Sequence, residues 1–197
     1  MSTQNQDPAV DLRPDIVAAA TRVFSARGYH AATMTEIAEE VGMRKPSLYH
    51  HVRKKEDLLF AIHDRLIDEL IAETMNVLSS SQTDAEKVRN VLHVNMRFVA
   101  RNRDAVTVFL QERRAVQGER WAALVVKRDF YEQMIARIIA EGTEADAFVE
   151  VRPELAARAV LAMANWGYTW FQVGGEMSAD EVADVFADIA LRGLLTR

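Results

Sequence analysis

The chain has 197 residues, 49% apolar and 27% charged, with a formal net charge of −5 and no cysteine. That composition suits a globular protein and excludes disulfides, thiol catalysis and thiolate metal sites. The opening MSTQNQDPAVDLRP lacks the basic-then-apolar order of a signal peptide, and no apolar run approaches the ~18–20 residues of a membrane span, so a cytoplasmic protein with no membrane partner is expected.

Residues 1–11 are polar and expected to be disordered. From Leu12, the positions Ile16, Val17, Ala20, Val23 and Phe24 fall on one helical stripe that Gly28 closes. Tyr29, Ala31 and Ala32 then lead into TMTEIAEEVGMRKPSLYHHVRKKED, residues 33–57. Ile37, Ala38 and Val41 give a short helix with a narrow apolar face, with Thr35 as its expected cap. Gly42 ends that helix, because glycine reaches the left-handed conformation a helix end often needs. Pro46 restarts a helix where its missing N–H is harmless. Leu48 and Val52 face inward, leaving Arg44, Lys45, Ser47, Tyr49, His50 and His51 outside.

Helix, glycine turn and a second helix with a donor-rich face make a helix-turn-helix pattern. DNA phosphates need cations and hydroxyl donors, and base edges need donors and acceptors on a helix that fits the major groove. From Gly42 to Lys55 there are five Arg/Lys and no Asp or Glu. Residues 1–60 hold 8 Lys/Arg against 8 Asp/Glu, so the whole acidic excess lies further along the chain. Screening over about 8 Å at physiological salt makes the local basic patch count for more than the distant total. A solvated helix pair with an accidental basic face would share the pattern, but not its spelling.

The segment resembles the DNA-binding domain of the TetR family of bacterial transcription regulators. The matching positions are Thr35, Ile37-Ala38, Gly42, Leu48-Tyr49, Lys55-Glu56 and Leu58. Val52 stands where the family usually has Phe, and Arg44 where a small hydroxyl residue is common. The resemblance implies an all-α chain: an N-terminal three-helix helix-turn-helix domain, residues 12–55, and a C-terminal helical ligand-binding and dimerisation domain, residues 56–197. It also implies a homodimer on a palindromic double-stranded operator. Arg44, Lys45 and Ser47 are then assigned to base edges, and Thr35, Tyr49, His50 and Lys55 to phosphates.

A long helix is expected from Glu56 to Leu78, where Leu58, Leu59, Ile62, Leu66, Ile67, Leu70 and Ile71 keep the helical period. At 1.5 Å per residue it spans about 35 Å, and starting beside the basic turn it is the natural lever on the reading head. Ser79–Gln82 is a loop, and Thr83-Asp84-Ala85-Glu86 is a capping box opening a helix with Val88, Val91, Leu92, Phe98 and Val99 inward. Ala105–Leu110 is a shorter apolar segment before a charged break over Gln111–Gly118. Glu119–Glu141 is helical and expected to stop at Gly142. Pro153 opens a helix to about Gln172, Gly174-Gly175 turns, and Ser178-Ala179-Asp180-Glu181 boxes the last helix. Neither sustained alternation nor an Asn-Gly or Asp-Gly hairpin points to a strand.

No metal site is expected from the five histidines: His50 and His51 diverge on a helix, and His30, His63 and His93 lack ligand partners at i+3 or i+4. No nucleophile motif, phosphate loop or dinucleotide fingerprint is present, so neither an enzyme nor a bound cofactor is expected. The C-terminal half concentrates aromatic and polar residues at neighbouring helical phases. Core and dimer packing explain any one of them; as a set, Asn95, Trp121, Arg128, Tyr131, Asn165 and Trp166 are candidate ligand-binding residues. The stretch NWGYTWFQVGG, residues 165–175, is similar to the tails of family members that regulate lipid or steroid breakdown and sense acyl-coenzyme A. An acyl-coenzyme A effector and a repressor role follow from that similarity. The rival is a constitutive dimeric DNA-binding protein without an effector. Ala159, Ala162, Ala164 and Ala183 are candidates for close helix approach between subunits.

Overall fold

The structure is a computed structural model that describes residues 12–112 and 115–195. The expected disorder of residues 1–11 falls outside the described residues. Ten α-helices account for nearly all of it: α1 Pro14–Arg27, α2 Met34–Val41, α3 Lys45–Tyr49, α4 Lys55–Leu78, α5 Asp84–Arg101, α6 Arg103–Gln111, α7 Gly118–Glu144, α8 Pro153–Asn165, α9 Gly167–Trp170 and α10 Ala179–Leu194. The one extended pairing among the described residues is an isolated bridge between Phe148 and Leu195. None of the helices is long and apolar enough to cross a membrane.

Most helix ends follow local chemistry. Pro14 and Pro153 sit in the first turns of α1 and α8. Capping boxes at Thr83–Glu86 and Ser178–Glu181 open α5 and α10, each Glu also accepting from the backbone N–H of its cap. The cap of α2 is Thr33 rather than the expected Thr35: Thr33 Oγ1 accepts from Glu36 N, and Glu36 accepts from Thr33 N at 2.8 Å. The reciprocal pair Thr33–Glu36 satisfies two orphan donors, where Thr35 alone would satisfy one.

Two boundaries differ for tertiary reasons. Gly142 does not stop α7, which runs on to Glu144. A Cβ at Gly142 would sit 2.4 Å from the Phe148 ring, so the glycine makes room for the returning chain. The expected helix from Pro153 to Gln172 breaks after Asn165 into α8 and the single turn α9. Gly167 lies there against Met96 of α5, where a Cβ would come within 3.3 Å of the sulfur.

α5 is the hub, packed on α4, α7, α8 and α10. Its inner face buries Val88, Val91, Leu92 and Met96 completely. Its outer edge is laced to α10 by Arg89 on Asp184 (3.0 Å) and Asp188 (2.7 Å), His93 between Asp180 and Asp184, and Arg97 on Asp180. These carboxylates are exposed, so the network adds modestly to the burial beneath it.

The reading head is not packed as an island. Its core of Leu12, Ile16, Phe24, Ile37, Leu48 and Val52 continues through Leu58, Leu59 and Ile62 of α4 into Val108 of α6 and Leu124 of α7. The boundary expected at residues 55/56 therefore falls inside one apolar cluster.

Candidate nucleic-acid interface and effector cavity

At the motif, Gly42 adopts φ +76°, and the chain turns with Met43 N donating to Ala38 O at 2.8 Å. Leu48 and Val52 are fully buried, which anchors the inner face of α3. Val52 thus fills the position where the family usually has Phe. Arg44, Lys45, Ser47, Tyr49 and His50 are all exposed on one short segment, while Thr35 is half-buried at the start of α2. The sequence-predicted DNA residues are brought together, with one difference.

That difference is Lys55. Its ammonium donates to Tyr29 O at 2.6 Å, Ala32 O at 2.8 Å and His30 O at 3.2 Å, and lies 4.6 Å from the centre of the Tyr29 ring. All three of its N–H directions have carbonyl partners within the head. In this geometry Lys55, expected on a phosphate, clamps the loop between α1 and α2. The same loop is held from the other side by Glu112, just past α6, whose Oε1 accepts from Tyr29 N at 3.1 Å. Ser25 of α1 also donates to Asp104 of α6 at 2.9 Å. A buried ion pair, Arg120 to Asp57 at 2.6 Å, joins the first turns of α7 and α4, and Asp57 also accepts from Lys54 N. Partners 63 to 83 residues apart carry no sequence signature, so Glu112 and Arg120 were invisible to motif reading.

A cavity of about 250 Å³ lies between α4, α6, α7 and α8. Ile67, Leu70, Phe109, Leu110, Leu124 and Leu161 form its apolar walls. Of the predicted ligand residues, Trp121, Arg128, Tyr131 and Asn165 line it. Asn95 does not; it lines a neighbouring void of about 40 Å³ that shares the Ile67, Leu70, Phe109, Leu110 and Asn165 walls. There its amide donates to the Tyr131 hydroxyl at 2.7 Å and to Val91 O at 2.8 Å. Burial pushes Tyr131 up to about 12, so this pair is a neutral brace between α5 and α7.

Trp166 is not brought to these cavities. It is 65% exposed, stacked edge-on against Tyr168, and lines neither cavity, because the break after Asn165 turns it outward. Trp170 is also exposed, while Phe171 is buried with α5 and α10. The alanines divide likewise: Ala164 and Ala183 are buried inside the subunit, Ala162 lines the cavity, and Ala159 is exposed.

The cavity has a chemical gradient. At its rim Arg158 pairs with Glu132 at 2.6 Å, and the Arg128 guanidinium lies 5.9 Å from the Trp121 ring centre. In its interior stands His63 of α4, 1% exposed and edge-on to Phe109 with ring centres 5.0 Å apart. Both ring nitrogens are closed off from solvent and cavity alike, and neither makes a geometrically complete hydrogen bond, the backbone of Val108 and Phe109 being the polar groups beside them. Burial drives its pKa down to about 4, outweighing the nearby carbonyls of Val108 and Phe109, so the imidazole is neutral at physiological pH. Sequence reading considered His63 only as a metal ligand. Its place on the buried stripe, one residue from Ile62, was the available signal.

Residues 16–62 match the family described as "Bacterial regulatory proteins, tetR family", and residues 81–194 match "Tetracyclin repressor-like, C-terminal domain". The chain belongs to the TetR family. It is 24% identical over 184 residues to the HTH-type transcriptional repressor KstR2 of Rhodococcus jostii strain RHA1, covering 92% of this chain and 90% of that one. The crystal structure of the TetR family regulator PfmR from Thermus thermophilus superposes with a TM-score of 0.85 at 32% identity, covering 92% of this chain and 99% of PfmR. The structure of AibR in complex with isovaleryl coenzyme A and operator DNA gives a TM-score of 0.81 at 27% identity, covering 88% and 95%. As a TetR family member the chain is a DNA-binding transcriptional regulator, and its relatives act by binding rather than by catalysis.

Proposed function

We propose that this regulator is a homodimeric repressor released from a palindromic operator by an apolar effector of the acyl-coenzyme A class. The observation that carries the reading is the shared wall. Phe109 and Leu110 line the cavity on α6, and two residues on, Glu112 holds the loop of the reading head. An occupant that displaces α6 therefore moves Tyr29–Ala32 and, through Lys55, the start of α4. The anionic part of a thioester suits a rim bearing Arg128 and Arg158, and its acyl chain suits the apolar walls. AibR, similar in fold, is a regulator seen with an acyl-coenzyme A and DNA together.

In this reading Arg44, Lys45 and Ser47 meet base edges, and Thr35, Tyr49 and His50 meet phosphates. Two heads must sit about 34–36 Å apart to enter successive major grooves. The effector acts only if it binds the DNA-incompetent spacing better than the competent one. The dimer forms through α8–α10, which expose Leu155, Trp166, Trp170, Val185 and Ile189.

The test selects an operator from random duplexes and titrates acyl thioesters and their free acids into the complex. Release by thioesters is expected; tight thioester binding with unchanged operator affinity would leave the constitutive DNA-binding reading in its place. On the same operator, Arg44→Ala should relax preference at one base position by about 1–3 kcal/mol. An unaltered base profile would remove Arg44 from the reading face.

A further inference from the structure

We infer that the small void between α4, α5 and α6 receives the end of the effector's acyl chain, and that Phe98 and Val106 set the chain length the regulator prefers. This rests on the reading of the neighbouring cavity as the effector site. The two spaces lie back to back. They share Ile67 and Leu70 of α4 and Phe109 and Leu110 of α6, with the exposed Asn165 at the edge of both. Arg128 and Arg158 line only the larger space, on its α7 and α8 side. Leu66, Phe98, Val99 and Val106 line only the smaller one, toward α5. A thioester with its anionic head at the arginines therefore runs its chain toward the shared wall.

Native interiors hold few spaces larger than a water molecule. At about 40 Å³ this void could admit a water, but a water also needs two or more polar partners. The buried polar side chain on its wall is Asn95, and that one is already engaged. Its amide donates to the Tyr131 hydroxyl at 2.7 Å and to Val91 O at 2.8 Å, and its oxygen accepts from the same hydroxyl. Leu66, Phe98, Val99 and Val106 are buried hydrocarbon in one cluster. Unfilled, such walls forfeit dispersion contacts, which a hydrocarbon tip would restore. A hydroxyl or carboxylate there would lose its water with no partner in exchange.

The wall between the two spaces stands where the fold can give. Phe109 and Leu110 are only half-buried and lie in the last turn of α6, which ends at Gln111. The larger cavity, at about 250 Å³, lies just under the usual ~300–1,000 Å³ of small-molecule sites. A medium chain fills it, and a longer one must pass the wall to be buried. The ligand class is then a medium-length aliphatic acyl thioester with an unsubstituted end, and the depth of the void is its ruler.

The experiment is calorimetric titration of butanoyl-, hexanoyl-, octanoyl-, decanoyl- and dodecanoyl-coenzyme A into the full-length protein and two variants. Val106→Phe fills the void and Phe98→Ala enlarges it; neither residue lines the larger cavity. In wild type, affinity should rise about fourfold per added methylene, pass through a maximum and fall. Val106→Phe should move the maximum to a shorter chain, and Phe98→Ala to a longer one. Thermal melts establish that the variants are folded, and Val106→Leu or Phe98→Leu, milder changes in the same directions, replace one that is not. A general loosening of the fold would weaken every chain alike and leave the maximum in place. A wild-type profile without a maximum, or a maximum that either variant leaves in place, overturns the role of the void while the acyl-effector reading stands. If none of the five thioesters binds wild type, both fall together.

Discussion

Lys55 and His63 are the two side chains whose surroundings most change what their residue types suggest. An exposed lysine beside a recognition helix belongs on a phosphate; this one has three carbonyls and an aromatic face instead. Lys55→Ala should accordingly lower stability by about 1–3 kcal/mol, since carbonyls of the head loop lose their donor. It should also weaken binding to every duplex. The salt dependence of binding should keep its slope, because no phosphate contact is lost. A slope flattened by about one counterion would return Lys55 to the phosphate backbone.

His63 has a pH signature with a definite sign. Its folded pKa of about 4 lies below the ordinary imidazole value of 6.5, so the unfolded chain binds the extra proton in that window. Its contribution is fully present above about pH 6.5 and is lost as the pH falls toward about 4. Chemical denaturation of wild type and His63→Leu between pH 7.5 and 4 measures it. The difference between the two proteins should shift by about 3 kcal/mol across the window, with the variant less acid-sensitive. Parallel curves would mean that His63 is solvated in solution.

Among the elements, α6 changes most in standing. In the sequence it is a short apolar run before a charged break, and α4 alone looks like the lever. In the structure α6 bears a wall of the cavity and grips α1 and the head loop through Asp104 and Glu112. Two elements therefore lead from the cavity to the head. Glu112→Ala should leave ligand affinity within about twofold, because Glu112 does not line the cavity, while reducing the ligand's effect on operator affinity by roughly 0.5–2 kcal/mol of coupling. Paired ligand titrations with and without operator give both quantities. Undiminished release in the variant would return the whole coupling to α4.

For the whole molecule, the decisive surface is the one left open. α10 buries Val182, Ala183, Ala187, Leu191 and Leu194 against its own subunit, yet Val185 and Ile189, four apart, remain outside, Ile189 at 60%. Ile189→Asp should yield a folded monomer in sedimentation at micromolar concentration. It should lose high-affinity binding to a palindrome while keeping weak half-site binding. A variant that still sediments as a dimer would place the interface elsewhere.

The sequence by itself determined most of the helices and their order, the reading head and the family. Those rest on local rules: capping boxes, prolines in first turns, a left-handed Gly42 and the inward spacing of Leu48 and Val52, all of which act within a few residues. It also marked Trp121, Arg128, Tyr131 and Asn165, because their helical phase sets the face they share. Only the tertiary structure decided where Trp166 points, why Gly142 is a glycine, what Lys55 holds, and that His63 is buried against α6. Each depends on atoms contributed from elsewhere in the chain, among them Phe148 for Gly142, the Tyr29–Ala32 carbonyls for Lys55, and the α6 wall for His63. Periodicity says which face of a helix is inward, but not what waits there.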